Sequence, residues 1–438
     1  MKVKPFLKTY SVEFFLFIFL FLNYLIFKNK ISWGGDYASY LLQAKAIFSG
    51  TLSTEVDLNK YLIGLSEKLY APISYPIGFS IFQAITSPLH NWQFSLLKLI
   101  NPVSLFLISA VTYKMFPKNN LKLVFIFPFL PFISKQNLDI LPDIPAILFF
   151  CLSLFQLKKE KFNLSFIFMF LAIAFKNYFA ILLIFHFIYL YNQKKIRNFF
   201  LGLFFIFLTK ILGDFYFQID ILGNYSNTLN ILSLFEINLN RMSYVISDLG
   251  YFITFVNNPF NIFIGFLIII FLIFNIKNIY SLTALIYILF FLFFKPDWSH
   301  TDYKRYLLPA VYILFIILFD KLGKNQKDIF KVSFLIYFLF IIFMNFVIWQ
   351  DLNRQRGPFT QEFSEVVEYV NSDIENGAMV SFHSPRVVRY LTNKNVFRKD
   401  KLVNFEHYEI CEKILNSCTE GNKLFENDKF EIVFIQER

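Results

Sequence analysis

Apolar residues run in long blocks along most of this chain, broken by short clusters of lysine, asparagine and proline. Such a rhythm predicts membrane-crossing helices, because a crossing needs about 17 to 25 mostly apolar residues, and shorter runs cross only when tilted or flanked by snorkelling groups. About eleven blocks qualify, near 11–27, 94–116, 121–134, 140–157, 162–175, 177–191, 197–213, 259–275, 279–294, 305–319 and 330–350. The first follows Lys2, Lys4 and Lys8 and precedes Lys28-Asn29-Lys30 with no small-residue cleavage site, so it reads as an uncleaved signal anchor.

Charge orients these spans. With the N-terminus inside, the inner connections carry Lys114, Lys118 and Lys122, then Lys158, Lys159 and Lys161, then Lys194, Lys195 and Arg197, then Lys277, and finally Lys321, Lys324, Lys327 and Lys331. Basic residues collect on the cytoplasmic side of membrane proteins. Three long segments then lie outside: residues 28–93, residues 214–258 and the tail 351–438. Apolar side chains at Tyr37, Tyr40, Leu41, Ala44 and Phe48, with Ser39, Gln43 and Lys45 off that stripe, predict a helix lying along the interface in the first segment. Gly34-Gly35 turns the chain into it, and a second interfacial stretch runs from Tyr75-Pro76-Ile77-Gly78 to Leu89.

The tail has a different composition. It holds 12 Lys plus Arg against 15 Asp plus Glu, whereas the whole chain has a net charge of +11. Helical spacing over Glu362–Val370, short strands at Ala378–Phe382 and Glu431–Ile435, and a helix at Pro385–Leu391 predict a small α/β domain. The expected fold is therefore mainly α: a polytopic membrane domain over 1–350, with interfacial helices in its first outer loop, and a soluble outer-face α/β domain over 351–438. A 56% apolar composition with 63 Phe excludes an ordinary soluble core. The basic balance follows from topology and an anionic inner leaflet, so nucleic acid is not an expected partner. In an oxidising compartment Cys411 and Cys418 could pair, but a seven-residue separation on one helix puts them too far apart to bridge, and two free buried thiols are an equal alternative.

Candidate chemistry is acidic and sits at helix starts. Asp36 falls at the N-cap of the first interfacial helix, and Asp143, in Leu141-Pro142-Asp143-Ile144-Pro145, opens a span at its outer end. Capping explains either residue alone. Two aspartates at helix N-termini on one side of the membrane can instead serve an anionic group or a divalent cation, with Asp139 as a third member.

The order of a signal-anchor span, Asp36, the run Tyr40-Leu41-Leu42-Gln43-Ala44-Lys45-Ala46-Ile47-Phe48-Ser49-Gly50, the Tyr-Pro-x-Gly of Tyr75–Gly78 and Asp143-Ile144-Pro145-Ala146 resembles the GT-C class of membrane glycosyltransferases. It looks most like the bacterial branch that includes protein O-mannosyltransferases, aminoarabinose transferases and lipopolysaccharide-core sugar transferases. The resemblance implies transfer, with inversion, of a sugar from a polyprenyl-phosphate donor to a lipid, glycan or protein acceptor at the outer face of the cytoplasmic membrane. Asp36 matches the first-loop acid that acts as base or helps bind Mg or Mn, and Asp143 matches the second-loop aspartate. Tyr37 stands where many relatives carry a second acid, which weakens the expectation of metal.

A donor phosphate needs cations near the outer interface. Arg305 is the preferred contact because a guanidinium forks onto phosphate oxygens; Lys176 and Lys304 follow, and Tyr40 and His300 are accessory candidates. Snorkelling at helix ends explains each cation equally well. His186, midway along a span, reads as a hydrogen-bonded packing residue. A polysaccharide polymerase or ligase, a transporter and a non-catalytic scaffold are the competing classes. Spans almost free of charge and without internal repeats speak against a transporter.

Overall fold

The computed structural model describes residues 3–28, 36–52, 54, 76–116, 127–136, 140–217, 239–293, 304–322, 339–347, 349–350, 360–376, 378–392, 394–398, 406–413, 419 and 421–436. In chain order the helices are α1 (Val3–Phe27), α2 (Asp36–Ser49), α3 (Gly78–His90), α4 (Phe94–Leu97), α5 (Ile100–Met115), α6 (Pro131–Gln136), α7 (Asp143–Lys158) and α8 (Phe162–Phe175). A 3-10 turn, Asn177–Leu182, leads into α9 (Leu183–Asn192), followed by α10 (Ile196–Phe217), α11 (Leu239–Thr254), α12 (Phe260–Phe274), α13 (Ile279–Phe293) and α14 (Lys304–Leu322). The tail folds as α15 (Gln361–Ser372), β1 (Met379–Phe382), α16 (Pro385–Thr392), β2 (Asn395–Arg398), β3 (His407–Glu412), β4 (Asn422–Glu426) and β5 (Phe430–Ile435). Packing divides the chain into two units. Met1–Ile26, Lys98–Gly213 and Tyr225–Asn353 make the first, and Phe27–Leu97, Asp214–Asn224 and Arg354–Arg438 make the second.

The first unit is helical because apolar side chains in lipid leave the backbone no other way to satisfy its own polar groups. Among the described residues two segments, Phe94–Met115 and Ile196–Phe217, are long and apolar enough to cross a membrane; Leu16–Phe27, Phe162–Phe175, Asn177–Asn192, Phe260–Phe274 and Ile279–Phe293 are shorter apolar helices. The expected block 121–134 is not one continuous helix. Its described part is a 3-10 turn at 127–129 and the short α6, because Pro128 and Pro131 cannot donate to a helical ladder and Pro131 starts a new helix instead. Phe200, Phe204, Phe207 and Phe215 leave one side of α10 bare, as a lipid-facing helix would.

Where these helices touch, hydroxyls and small residues do the joining. Ser153 on α7 and Ser165 on α8 each donate to the other's carbonyl, at 2.8 and 2.9 Å, and both hydroxyls lie within 3.0 Å of His186 Nε2 on α9. His186 is thus the packing residue expected of it. Thr112 and Tyr312 join α5 to α14 at 2.8 Å. The segment 214–258, expected as a loop, contains α11, which packs on α12 through two glycines. A Cβ on Gly250 would collide with the backbone of Asn261, and one on Gly265 with the backbone of Ile246.

In the second unit the sheet order is β2-β1-β3-β5-β4, with β1 parallel to β2 and β3, and β5 antiparallel to β3 and β4. Thr360 caps α15 by accepting from the Phe363 N–H, and Phe363, Val366 and Val370 pack on Val380, Phe382 and Ile432. Cys411 lies on strand β3 and is disulfide-bonded, which corrects the expectation of a helix there; Cys418 lies outside the described residues. The α2 stripe also differs from expectation. Ser39 and Gln43 are buried and Phe48 is exposed, because α2 packs against α3, where Ser80 Oγ donates to Gln43 Oε1 at 2.7 Å and lies 3.0 Å from the Tyr40 carbonyl. Gly34, Gly35 and Tyr75 lie outside the described residues.

Replacing Gly265 by valine forces α11 and α12 apart. We expect a loss of about 1–3 kcal/mol, the usual cost of overpacking, read as a lower Tm in detergent, whereas Phe204→Leu on the bare side of α10 leaves the Tm unchanged.

Candidate active site

Helix α14 begins with Lys304-Arg305-Tyr306, two cations at the positive end of a helix dipole. That placement costs stability unless each charge is met from elsewhere. Arg305 Nη2 lies 3.0 Å from Asp143 Oδ2 on α7, and Lys304 Nζ lies 3.4 Å from Asp248 Oδ1 on α11 and 4.5 Å from the centre of the Tyr251 ring. Asp143 is in the first turn of α7, yet it makes no cap; its second oxygen accepts from Tyr178 Oη at 2.8 Å. The capping explanation therefore fails for Asp143, whose two oxygens are spent on partners from two other segments.

The surroundings sharpen this pair. The Asp143 side chain is 1% exposed and that of Arg305 22%, so the carboxylate is sealed while the arginine side chain is partly exposed. The buried Lys176 ammonium also acts on the Asp143 charge. Tyr178 and Tyr306 meet edge to face at 5.4 Å, Phe291 stacks on Tyr306, and Tyr287 Oη donates to the Tyr306 carbonyl at 2.7 Å. Aromatic walls exclude water and strengthen every charge interaction inside them. Two cations, Arg305 and Lys176, thus act on this one carboxylate. Sequence reasoning brought forward Asp143, Arg305, Lys176 and Lys304 but missed Asp248; its signal was a lone acid within an amphipathic stretch of apolar residues.

In the second unit Asp36 opens α2, with Oδ1 3.4 Å from Arg386 Nη1 at the start of α16. Arg386 was not foreseen either, since nothing in the sequence links residues 350 positions apart. Tyr40 is buried edge-on against Phe79 at 5.4 Å. After α3 the chain passes through Asn91 and Trp92, both in the left-handed region with φ of 42° and 59°. This conformation is strained for a bulky aromatic. It is held by the Trp92 N–H donating to His90 Nδ1 at 3.1 Å and by Tyr390 Oη donating to the Trp92 carbonyl at 3.4 Å. His90 Nε2, in turn, donates to the Gln83 carbonyl, which fixes a neutral ring. Asp139 and His300 lie outside the described residues, as does Asp302 beside the latter. Among the described residues no group of three His, Cys, Asp or Glu gathers as a cation site.

The whole chain superposes on ArnT from Cupriavidus metallidurans, solved bound to undecaprenyl phosphate, with a TM-score of 0.63 over 99% of this chain and 98% of that one, at 9% identity. The chain has the GT-C glycosyltransferase fold. No family model matches the sequence, and no curated protein matches it either. The GT-C fold is thus carried here by a sequence that retains only scattered identities, and the expected resemblance holds at the level of architecture.

Two outcomes follow from this geometry. Arg305→Met leaves the sealed Asp143 carboxylate without its main partner and costs about 3–5 kcal/mol; Asp143→Asn leaves a guanidinium that still reaches solvent and costs less, and Asp143→Leu combined with Arg305→Met recovers much of the loss, all read as Tm. For His90, burial lowers the pKa below the ordinary 6.5, so its stabilisation is complete above pH 6.5 and is lost as pH falls from there to the lower folded value. Thermal unfolding across that range should show a decline in the wild type that His90→Gln makes shallower.

Proposed function

We propose that this chain is a membrane glycosyltransferase that moves a sugar from a polyprenyl-phosphate donor to a cell-envelope acceptor, a lipid, glycan or protein, at the outer face of the cytoplasmic membrane. The observation that carries the reading is the cationic cluster of Arg305 and Lys176 around the sealed Asp143, within a fold shared with a protein solved with undecaprenyl phosphate bound. Arg305, partly exposed, contacts the phosphate through its guanidinium, Lys176 adds charge, and Asp143 with Tyr178 orients the arginine. Lys304, already facing Asp248, plays a smaller part.

In the reaction, the acceptor hydroxyl gives its proton to Asp36 as its oxygen bonds to the anomeric carbon. The bond from that carbon to the phosphate oxygen breaks, polyprenyl phosphate leaves, and the configuration inverts. Negative charge grows on the leaving phosphate, where Arg305 and Lys176 stabilise it. Arg386 orients the Asp36 carboxylate. A disulfide at Cys411 fits an oxidising compartment, which supports placing the tail outside, as do the basic inner connections.

Transfer of radiolabel from a panel of polyprenyl-phosphate sugars into total membrane acceptors tests this. The wild type transfers from at least one donor, Asp36→Asn is slower by about 100-fold or more, and Arg305→Lys raises the donor KM. Undiminished transfer by Asp36→Asn at matched expression removes it as the base, and failure of the wild type with every donor overturns the reading.

A further inference from the structure

Entirely within the second unit lies a cavity of about 540 Å³. One wall is the C-terminal half of α2, with Lys45, Phe48 and Ser49; the other is the corner between α16 and β2, with Arg389 and Asn395, and Trp92 completes the lining. Its chemistry is one-sided. Lys45, Arg389 and Lys394 contribute cationic side chains, and none of the described lining residues carries a carboxylate. The Lys394 ammonium donates to the Ile374 carbonyl at 2.6 Å and to Asn376 Oδ1 at 3.1 Å, so that charge is fixed in the wall. Arg389 is buried as well.

Lys45 is placed differently. Its ammonium sits 4.1 Å from the centre of the Tyr390 ring, a contact that uses the charge but leaves the N–H donors available to a ligand. Burial lowers its pKa, as expected of a cation taken partly out of water. Phe48, exposed, and Trp92 meet edge to face at 5.9 Å. Trp92 reaches that position only through the strained left-handed turn, and strain of this kind collects where a side chain must be presented to a ligand. Flat apolar faces suit the C–H face of a pyranose ring, while Ser49 and Asn395 suit its hydroxyls.

We propose that this cavity binds an anionic sugar, a pyranose carrying a carboxylate or phosphate, as part of the acceptor. The proposal rests on the transferase reading for the word acceptor, but the site itself is testable by binding alone. Lys45 and Arg389 hold the acidic group, and Phe48 and Trp92 pack on the ring.

The test is saturation-transfer NMR with competition on the purified full chain in detergent, with no donor present, using methyl glucuronide, glucose 6-phosphate, methyl glucoside and inorganic phosphate. We expect one or both charged sugars to bind at least about tenfold more tightly than methyl glucoside, with Lys45→Gln removing that preference; which of the two wins distinguishes carboxylate from phosphate. Phe48→Ala, at an exposed position that folding does not need, weakens the preferred sugar without restoring the neutral one. Equal binding of charged and neutral sugars, an unchanged preference in Lys45→Gln, or inorganic phosphate competing as well as the best sugar overturns the proposal. Because no transfer is measured, binding with no turnover would count against the transferase reading alone.

Discussion

A carboxylate sealed among aromatic rings and shared between a tyrosine and an arginine is the constraint on which the first unit depends. Asp143 has no solvent to stabilise its charge, so Arg305 and Tyr178 must both be where they are, and through them α7, the 3-10 turn at Asn177–Leu182 and α14 are fixed against one another. The same constraint allows Arg305 to begin a helix, a position that the backbone dipole opposes. A bundle held by such a pair gives up stability that an apolar contact would supply, and what it gains is an oriented, partly exposed arginine.

Hydroxyl and glycine contacts carry the rest of the bundle, as expected where lipid removes the hydrophobic drive between helices. The Ser153, Ser165 and His186 clasp lies inside apolar helices, and Gly250 and Gly265 let α11 approach α12 to backbone contact. Neither feature does chemistry; the glycine contact helps place α11, whose Asp248 meets Lys304.

Much of this was legible in the sequence. Blocks of apolar residues gave α8 to the residue, and the presence of helices at α2 and α3 and the α/β character of the tail followed from spacing, although the buried face of α2 did not. The proline-rich block 121–134 misled because hydropathy does not see a missing N–H. β2, β3 and β4 went unnoticed since their strands are short and have no clear alternation. At the site, charges at helix starts pointed to Asp143, Arg305 and Lys176, but pairing is a property of the fold: Arg386 beside Asp36, and Asp248 beside Lys304, are partners that no local pattern announces.

The central proposal is that the Arg305 guanidinium holds the phosphate of a polyprenyl carrier. Its most direct test is equilibrium binding of undecaprenyl phosphate and of the uncharged undecaprenol to the purified chain in nanodiscs, for the wild type and for Arg305→Gln shown to be folded by its melting curve. The account predicts that the wild type prefers the phosphate and that Arg305→Gln loses about tenfold or more of that preference, about 1.4 kcal/mol. Equal binding of phosphate and alcohol by the wild type, or an undiminished preference in a folded Arg305→Gln, would contradict it.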